Sequence, residues 1–285
     1  MLKILIFLYF ISAINTSTFF GHKKYTEFEI GNLNILISVP HGGNLFPDQI
    51  PDRTEDGLGN FKGDYNTRPF GEELSTQLHG LFGQKPFMVY NNLHRRKMDP
   101  NRNSSVCCSS QTPNLECHAA HFEYHKFISD YAKNMSQVYK YLLIFDIHGQ
   151  SHKENWTEIG YLLGRNELNK VLVEETSKSS VNSLKESGAF SMEEIIRGNV
   201  SFGAFMEREH FRVVPSPSIK RPDQGGYYSG GYITAAHKSQ KVNTIQIELT
   251  YGLRKSIAVA KLNAAKLAKS IHDFYKFHRF YLNFY

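Results

Sequence analysis

The chain has 285 residues, 41% hydrophobic and 21% charged, a balance that excludes a disordered chain and suits a fold with a sizeable core. Lys and Arg outnumber Asp and Glu by 33 to 27, giving +6, but the basic residues are scattered. Without a basic run interleaved with aromatics, nucleic-acid binding is disfavoured, and the diffuse charge suits small anionic substrates instead.

The N-terminus, MLKILIFLYFISAINTSTFF, reads as a secretory signal peptide ending near residue 17. Lys3 supplies the basic start, and the apolar run from Ile4 to Ile14 is too short for a comfortable bilayer span. No second long apolar stretch follows. The mature chain, 18–285, is therefore expected to be a secreted, soluble single domain without stable membrane insertion. Asn103, Asn134, Asn155 and Asn199 each open an Asn-x-Ser/Thr triplet and are expected N-glycan sites in a eukaryotic secretory pathway. Cys107, Cys108 and Cys117 are the only cysteines. Their vicinal spacing does not match Cys-x-x-Cys, so a local disulfide of open pairing is expected, not a zinc cluster with His118.

YTEFEIGNLNILISVP reads as a hairpin around Gly31-Asn32. Phe70, Leu74, Leu78 and Leu81 predict a helix over 64–82, and PFMVY a short strand. Ala120, Tyr124, Phe127, Tyr131 and Val138 predict a second helix over 118–139. YLLIFDIH and IGYLLG follow as strands, then a helix near 166–179 and a broken helical stretch from 191 to 209. A loop rich in Pro and Gly leads to the strand VNTIQIEL and a last helix over 254–275. Strands alternating with amphipathic helices predict an α/β fold, a mainly parallel sheet flanked by helices.

Three polar residues share a position in this scheme. His41 follows ILISVP, His148 ends LLIFDI and Glu248 ends TIQI, all at the carboxyl edge of strands, where open α/β sheets bind ligands. Two histidines and a carboxylate are common ligands of a catalytic zinc ion, and a further carboxylate can take a proton from metal-bound water. In RRKMDPNRN, Arg102 offers a fork that matches a carboxylate in two bonds, and Asn101 a directional donor.

SVPHGG, MDPNRN, DIHGQ, GGYYSGGYI and IQIEL occur in this order and together resemble the N-formylglutamate amidohydrolase family. That family is similar in fold to the zinc carboxypeptidases, where a related Asn-Arg pair holds a substrate carboxylate. The resemblance implies a secreted Zn²⁺-dependent amidohydrolase that cuts an amide bond beside a free carboxylate, as in N-formyl or N-acyl amino acids. His41 and His148 would ligate the metal, Arg102 with Asn101 would clamp the carboxylate, and Glu248 would be general base and then acid. The carboxypeptidase pattern has a glutamate three residues after the first histidine. Here that residue is Asn44, so the acidic ligand must come from elsewhere, and Asp64 in GDYNTRPF is the choice, with a helix N-cap as its alternative role. Asp146 faces the same way as His148 and would orient an imidazole or a loop. Arg95 or Arg96 would steady an oxyanion, and Tyr232 would line the pocket. A carboxypeptidase acting on peptide C-termini, or a carboxylate-binding protein that has lost catalysis, are the alternatives.

Overall fold

The computed structural model describes residues 18–53, 60–112, 114–174, 177–187 and 189–280. The proposed signal peptide, 1–17, lies outside the described residues. Eight strands form one sheet: β1 (Thr18–Phe20), β2 (Thr26–Glu29), β3 (Ile35–Val39), β4 (Phe87–Asn91), β5 (Leu142–Gln150), β6 (Thr157–Gly160), β7 (Val213–Val214) and β8 (Val242–Thr250). Their spatial order is β1-β2-β4-β3-β5-β8-β6-β7. The central run β4-β3-β5-β8 is parallel, as is β6–β7, while β1–β2, β2–β4 and β8–β6 are antiparallel. Among the described residues the α-helices are α1 (Thr67–Phe82), α2 (Leu115–Met135), α3 (Met192–Arg197), α4 (Phe202–Arg208), α5 (Tyr232–His237) and α6 (Ile257–Phe277), with one further α-helical turn at Arg165–Leu168 and short 3-10 turns at His22–Lys24, Asn182–Ser187 and Tyr251–Leu253.

The central strands are near-continuous apolar runs because helices cover both faces. Ile35, Ile37, Val39, Leu143, Phe145 and Ile147 pack with Phe70, Leu74 and Leu78 of α1 and Ala264, Leu267 and Ile271 of α6. The alternate residues Leu36, Leu142 and Ile144 pack with Tyr124, Ile128 and Tyr131 of α2. By the two-residue period of a strand, Asp146 and His148 share the α2 face with Leu142 and Ile144. Side chains cap the long helices that frame this sheet: Asn114 accepts from Cys117 N–H on α2 and Ser256 from Val259 N–H on α6.

Several sequence expectations change. β2 and β3 are not a hairpin: β4 lies between them, antiparallel to β2 and parallel to β3. The N–H groups of Asn32 and Leu33 both donate to Lys85 O, and Asn32 Oδ1 accepts from Lys85 N–H, which pins the turn to the start of β4. Among the described residues the helix expected near 166–179 is only the turn Arg165–Leu168, residues 175–176 lying outside them, and the strand expected at IGYLLG lies earlier, as β6. The stretch 191–209 is broken as expected, with Gly198 ending α3 before α4. Cys108 and Cys117 are joined in a disulfide and Cys107 is a buried free thiol, so the cysteines cannot act together as a metal cluster with His118. All four sequon asparagines are exposed. No helix among the described residues is long and apolar enough to cross a membrane.

Candidate metal centre and cleft

His41 lies two residues beyond β3, and His148 and Glu248 are Cα partners on the paired strands β5 and β8. Asp64 comes from the loop ahead of α1. Its N–H donates to His41 O (2.9 Å), and its carbonyl accepts from Thr67 N–H (3.2 Å) and Thr67 Oγ1 (2.8 Å). Asn66 is the N-cap residue, so the Asp64 carboxylate is not the cap and turns inward.

There Asp64 Oδ2 lies 3.2 Å from His41 Nδ1 and 3.6 Å from His148 Nδ1, and the two Nδ1 atoms are 3.2 Å apart. The other nitrogen of each ring is held by a fully buried carboxylate: His41 Nε2 by Asp99 Oδ1 (2.7 Å) and His148 Nε2 by Asp146 Oδ2 (2.8 Å). An ionised carboxylate only accepts, so Nε2 of each ring carries the proton and a neutral ring aims its Nδ1 lone pair at the common point. Three acceptors meeting there repel one another unless a cation sits among them. A proton is one solution. Burial opposes a charged His148, but the Asp146 charge and hydrogen bond, with Asp64, raise its pKa well above the ordinary value. A metal ion is the other. Two imidazole nitrogens and a carboxylate oxygen are the ligand set of a catalytic zinc site, and the carboxylates behind the rings are the usual orienting partners of metal-bound histidines. The residues present therefore fit the ion.

The supports continue outward. Ser38 Oγ donates to Asp146 Oδ1 (2.6 Å) and bonds to Tyr124 OH (2.7 Å). Asp99 also accepts from Arg95 Nε (2.9 Å) and Asn101 N–H (2.9 Å). Burial resists ionisation of Asp64 and Asp99, yet His41 first, then His148 for Asp64 and Arg95 for Asp99, hold both well below the usual carboxylate range. Glu248 behaves oppositely. Its Oε1 accepts from Gln246 Nε2 (3.0 Å) and lies 4.0 Å from His148 Nδ1, and burial pushes its pKa up to about 8.

One buried guanidinium ties these pieces together. Arg254 donates to Tyr65 O (2.8 Å), Gln150 O (3.0 Å) and Leu249 O (3.2 Å), carbonyls that follow Asp64, His148 and Glu248 by one, two and one residues. It passes so close to Gly149 that a Cβ there would stand 2.2 Å from Arg254 Nε, which explains the glycine of DIHGQ.

A cleft of about 690 Å³ opens over the centre, its lining including Arg95, Asn101, Arg102, His152, Tyr228 and Glu248. Arg95 is partly committed, to Asp99 and to Asp64 Oδ1 at 3.8 Å. Asn101 Oδ1 accepts from Ile233 N–H (3.0 Å), so its oxygen anchors the start of α5. Tyr232 does not line this cleft: it packs on His121 and His125, ring centroids 6.2 and 5.2 Å away, and Tyr228 stands in the wall instead. The side chain faces α2 because Tyr232 opens α5, which packs beside that helix. Asn44 is exposed and Asp64 supplies the acid among the converging groups. Sequence reasoning missed Asp99, Ser38 and Arg254. Ser38 carried a readable signal, a hydroxyl inside ILISV that burial obliges to find a partner.

No protein-family model and no curated protein sequence matches the chain. Among solved structures it is similar to gene product Atu2144 from Agrobacterium tumefaciens, with 11% identity, a TM-score of 0.52, and 85% of this chain and 90% of that one covered. N-formylglutamate amidohydrolase from Ralstonia eutropha JMP134 is also similar, with 12% identity, a TM-score of 0.49 and 86% and 94% covered. The N-acetylmuramyl-L-alanine amidase Ami1 from Mycobacterium smegmatis is more distant, at 11% identity and a TM-score of 0.36, with 84% and 95% covered. At these identities the likeness to the first structure is one of fold: a mixed α/β sheet flanked by helices.

Proposed function

We propose that the protein is a secreted, metal-dependent amidohydrolase acting on an amide bond beside a free carboxylate, as in N-formyl or N-acyl amino acids. The observation that carries the reading is the convergence of His41 Nδ1, His148 Nδ1 and Asp64 Oδ2, with Glu248 beside them. A zinc ion held by these three side chains would polarise the scissile carbonyl and acidify a bound water. Glu248 would accept a proton from the attacking water, a role suited to a carboxyl whose affinity for protons is already raised by burial. Arg102, with Asn101, holds the substrate carboxylate at the cleft wall, and Arg95 lends positive charge where the oxyanion develops. The exposed sequons, the Cys108–Cys117 disulfide and the N-terminal apolar run support secretion. A carboxypeptidase acting on peptide C-termini is the second reading, favoured by the cleft volume of about 690 Å³, which is in the range that holds ligands much larger than a formyl amino acid.

Elemental mass spectrometry of gel-filtered protein tests the centre: about one zinc per chain is expected in the wild type and little in His148→Ala. Absence of metal from both, even after incubation with zinc, would leave a carboxylate-binding protein. In the zinc-loaded protein, Glu248→Gln should keep the metal and lose turnover of N-acyl amino acids, and retained turnover would remove Glu248 from its role.

A further inference from the structure

β5, β8 and β6 lie side by side, and His148, Glu248 and Glu158 are Cα partners in one row across them. Paired residues point to the same face, on strands about 4.8 Å apart. The 4.0 Å approach of His148 Nδ1 to Glu248 Oε1 is the first step of that row, and Glu158 is the next. Glu158 is fully buried, and carboxylates placed opposite one another on a sheet face are unfavourable. Its Oε2 accepts from Tyr228 N–H (2.7 Å), a bond that a glutamine would make without the charge.

What uses the charge is His152, whose Nδ1 lies 2.7 Å from Glu158 Oε1. Nδ1–H donates to the carboxylate, which leaves Nε2 as the working atom of the ring. The imidazole lines the same cleft as His148 and Glu248, and its side chain is 28% exposed, so it also meets solvent. Tyr228 holds it on one side at 4.8 Å between ring centroids. Gly226 holds it on another, where a Cβ would come within 2.3 Å of the ring.

We propose that His152, oriented by Glu158, is a second proton-transfer group of the site, the one that protonates the leaving amine. The inference rests on the amidohydrolase reading. As the new C–O bond forms, Glu248 takes one proton from the attacking water. As the C–N bond breaks, its electron pair stays on nitrogen, and the His152 imidazolium supplies a proton from Nε2, giving a neutral amine and a neutral imidazole. Glu248 then releases its proton to solvent and His152 regains one, so the net change is amide plus water to acid plus amine.

The test uses zinc-loaded wild type, His152→Gln and Glu158→Gln on two substrates with the same acyl group and carboxylate. One is the N-acyl amino acid, and the other its thioester analogue, whose thiolate leaves without a proton. His152→Gln should lose about 100-fold in kcat on the amide and stay within about threefold on the thioester, with zinc content unchanged. Glu158→Gln, which keeps the Tyr228 bond, should show a smaller loss confined to the amide, and it carries the comparison alone if His152→Gln does not fold. Equal losses on both substrates, or no loss on the amide, overturn the assignment and leave the pair as a loop tie. If the wild type turns over neither substrate, the amidohydrolase reading falls, and this assignment with it.

Discussion

Asp146→Asn isolates the electrostatic part of the centre. Asp146 is fully buried and, among the described residues, accepts from two side chains, His148 Nε2 at 2.8 Å and Ser38 Oγ at 2.6 Å. The asparagine can turn its oxygen to His148 and its NH₂ to Ser38, because the Ser38 and Tyr124 hydroxyls can reverse their donation. The hydrogen bonds survive and the charge does not. Loss of a carboxylate behind a metal-bound histidine weakens metal binding about 10- to 100-fold, ~1.4 to ~2.7 kcal/mol. Metal-free folding should change by only about 1 kcal/mol, whereas Asp146→Ala, which orphans His148 Nε2–H and Ser38, should cost about 1–3 kcal/mol of it. The assay is competition for zinc against a chromophoric chelator, alongside thermal unfolding of the chelator-stripped proteins. An Asn variant with wild-type zinc affinity, or one whose metal-free stability falls as far as that of Ala, would refute the orienting role.

Arg254→Met should lower metal-free stability by about 3 kcal/mol, because three carbonyls lose a charged donor at once, and thermal unfolding reads it directly. In chelator-stripped protein Glu248 holds its proton up to about 8 when folded but only to about 4.5 when unfolded. The folded state binds the extra proton in that window, so stability falls as pH rises through it; His148, raised above 6.5, adds the same sign. Melting temperature should therefore drop between pH 6.5 and 8. Glu248→Gln should flatten that drop, and a flat wild-type profile contradicts the assignment. Burial, then His121 and His237, hold His125 at about 3, and burial holds His237 at about 4. The unfolded chain takes up those protons below 6.5, so stability is lost as pH falls from there, and a His125→Asn/His237→Gln protein should lose less.

Chain-local patterns were legible and pairings were not. The apolar run of β5 and the spacing of Phe70, Leu74 and Leu78 marked their elements because burial period is written in sequence. The same logic placed His148 and Glu248 at strand ends and Asp146 on the His148 face. The β2–β3 hairpin failed because a Gly-Asn turn fixes local direction, while the strand that occupies the gap, β4, comes from some fifty residues later. Asp64 and Tyr232 show the same limit from two sides. Each precedes or opens a helix, and nothing local says that one side chain turns to the histidines while the other turns to α2.

The cost of the arrangement bears on its purpose. Asp64, Asp99, Asp146, Glu158 and Glu248 are all buried at one end of the sheet, where amides could make many of the same hydrogen bonds without desolvating charge. Arg53 and Arg95 accompany Asp99, and His152 accompanies Glu158. Among the described residues Asp146 is paired with the His148 imidazole and Asp64 with both imidazoles, Arg95 standing farther off at 3.8 Å from the other Asp64 oxygen, and those imidazoles aim lone pairs at each other unless a proton or a metal intervenes. A purely structural cluster would gain nothing from this conflict. A divalent cation removes it in one step, satisfying both Nδ1 atoms and Asp64 together while Asp99 and Asp146 keep the rings in the tautomer that binds it.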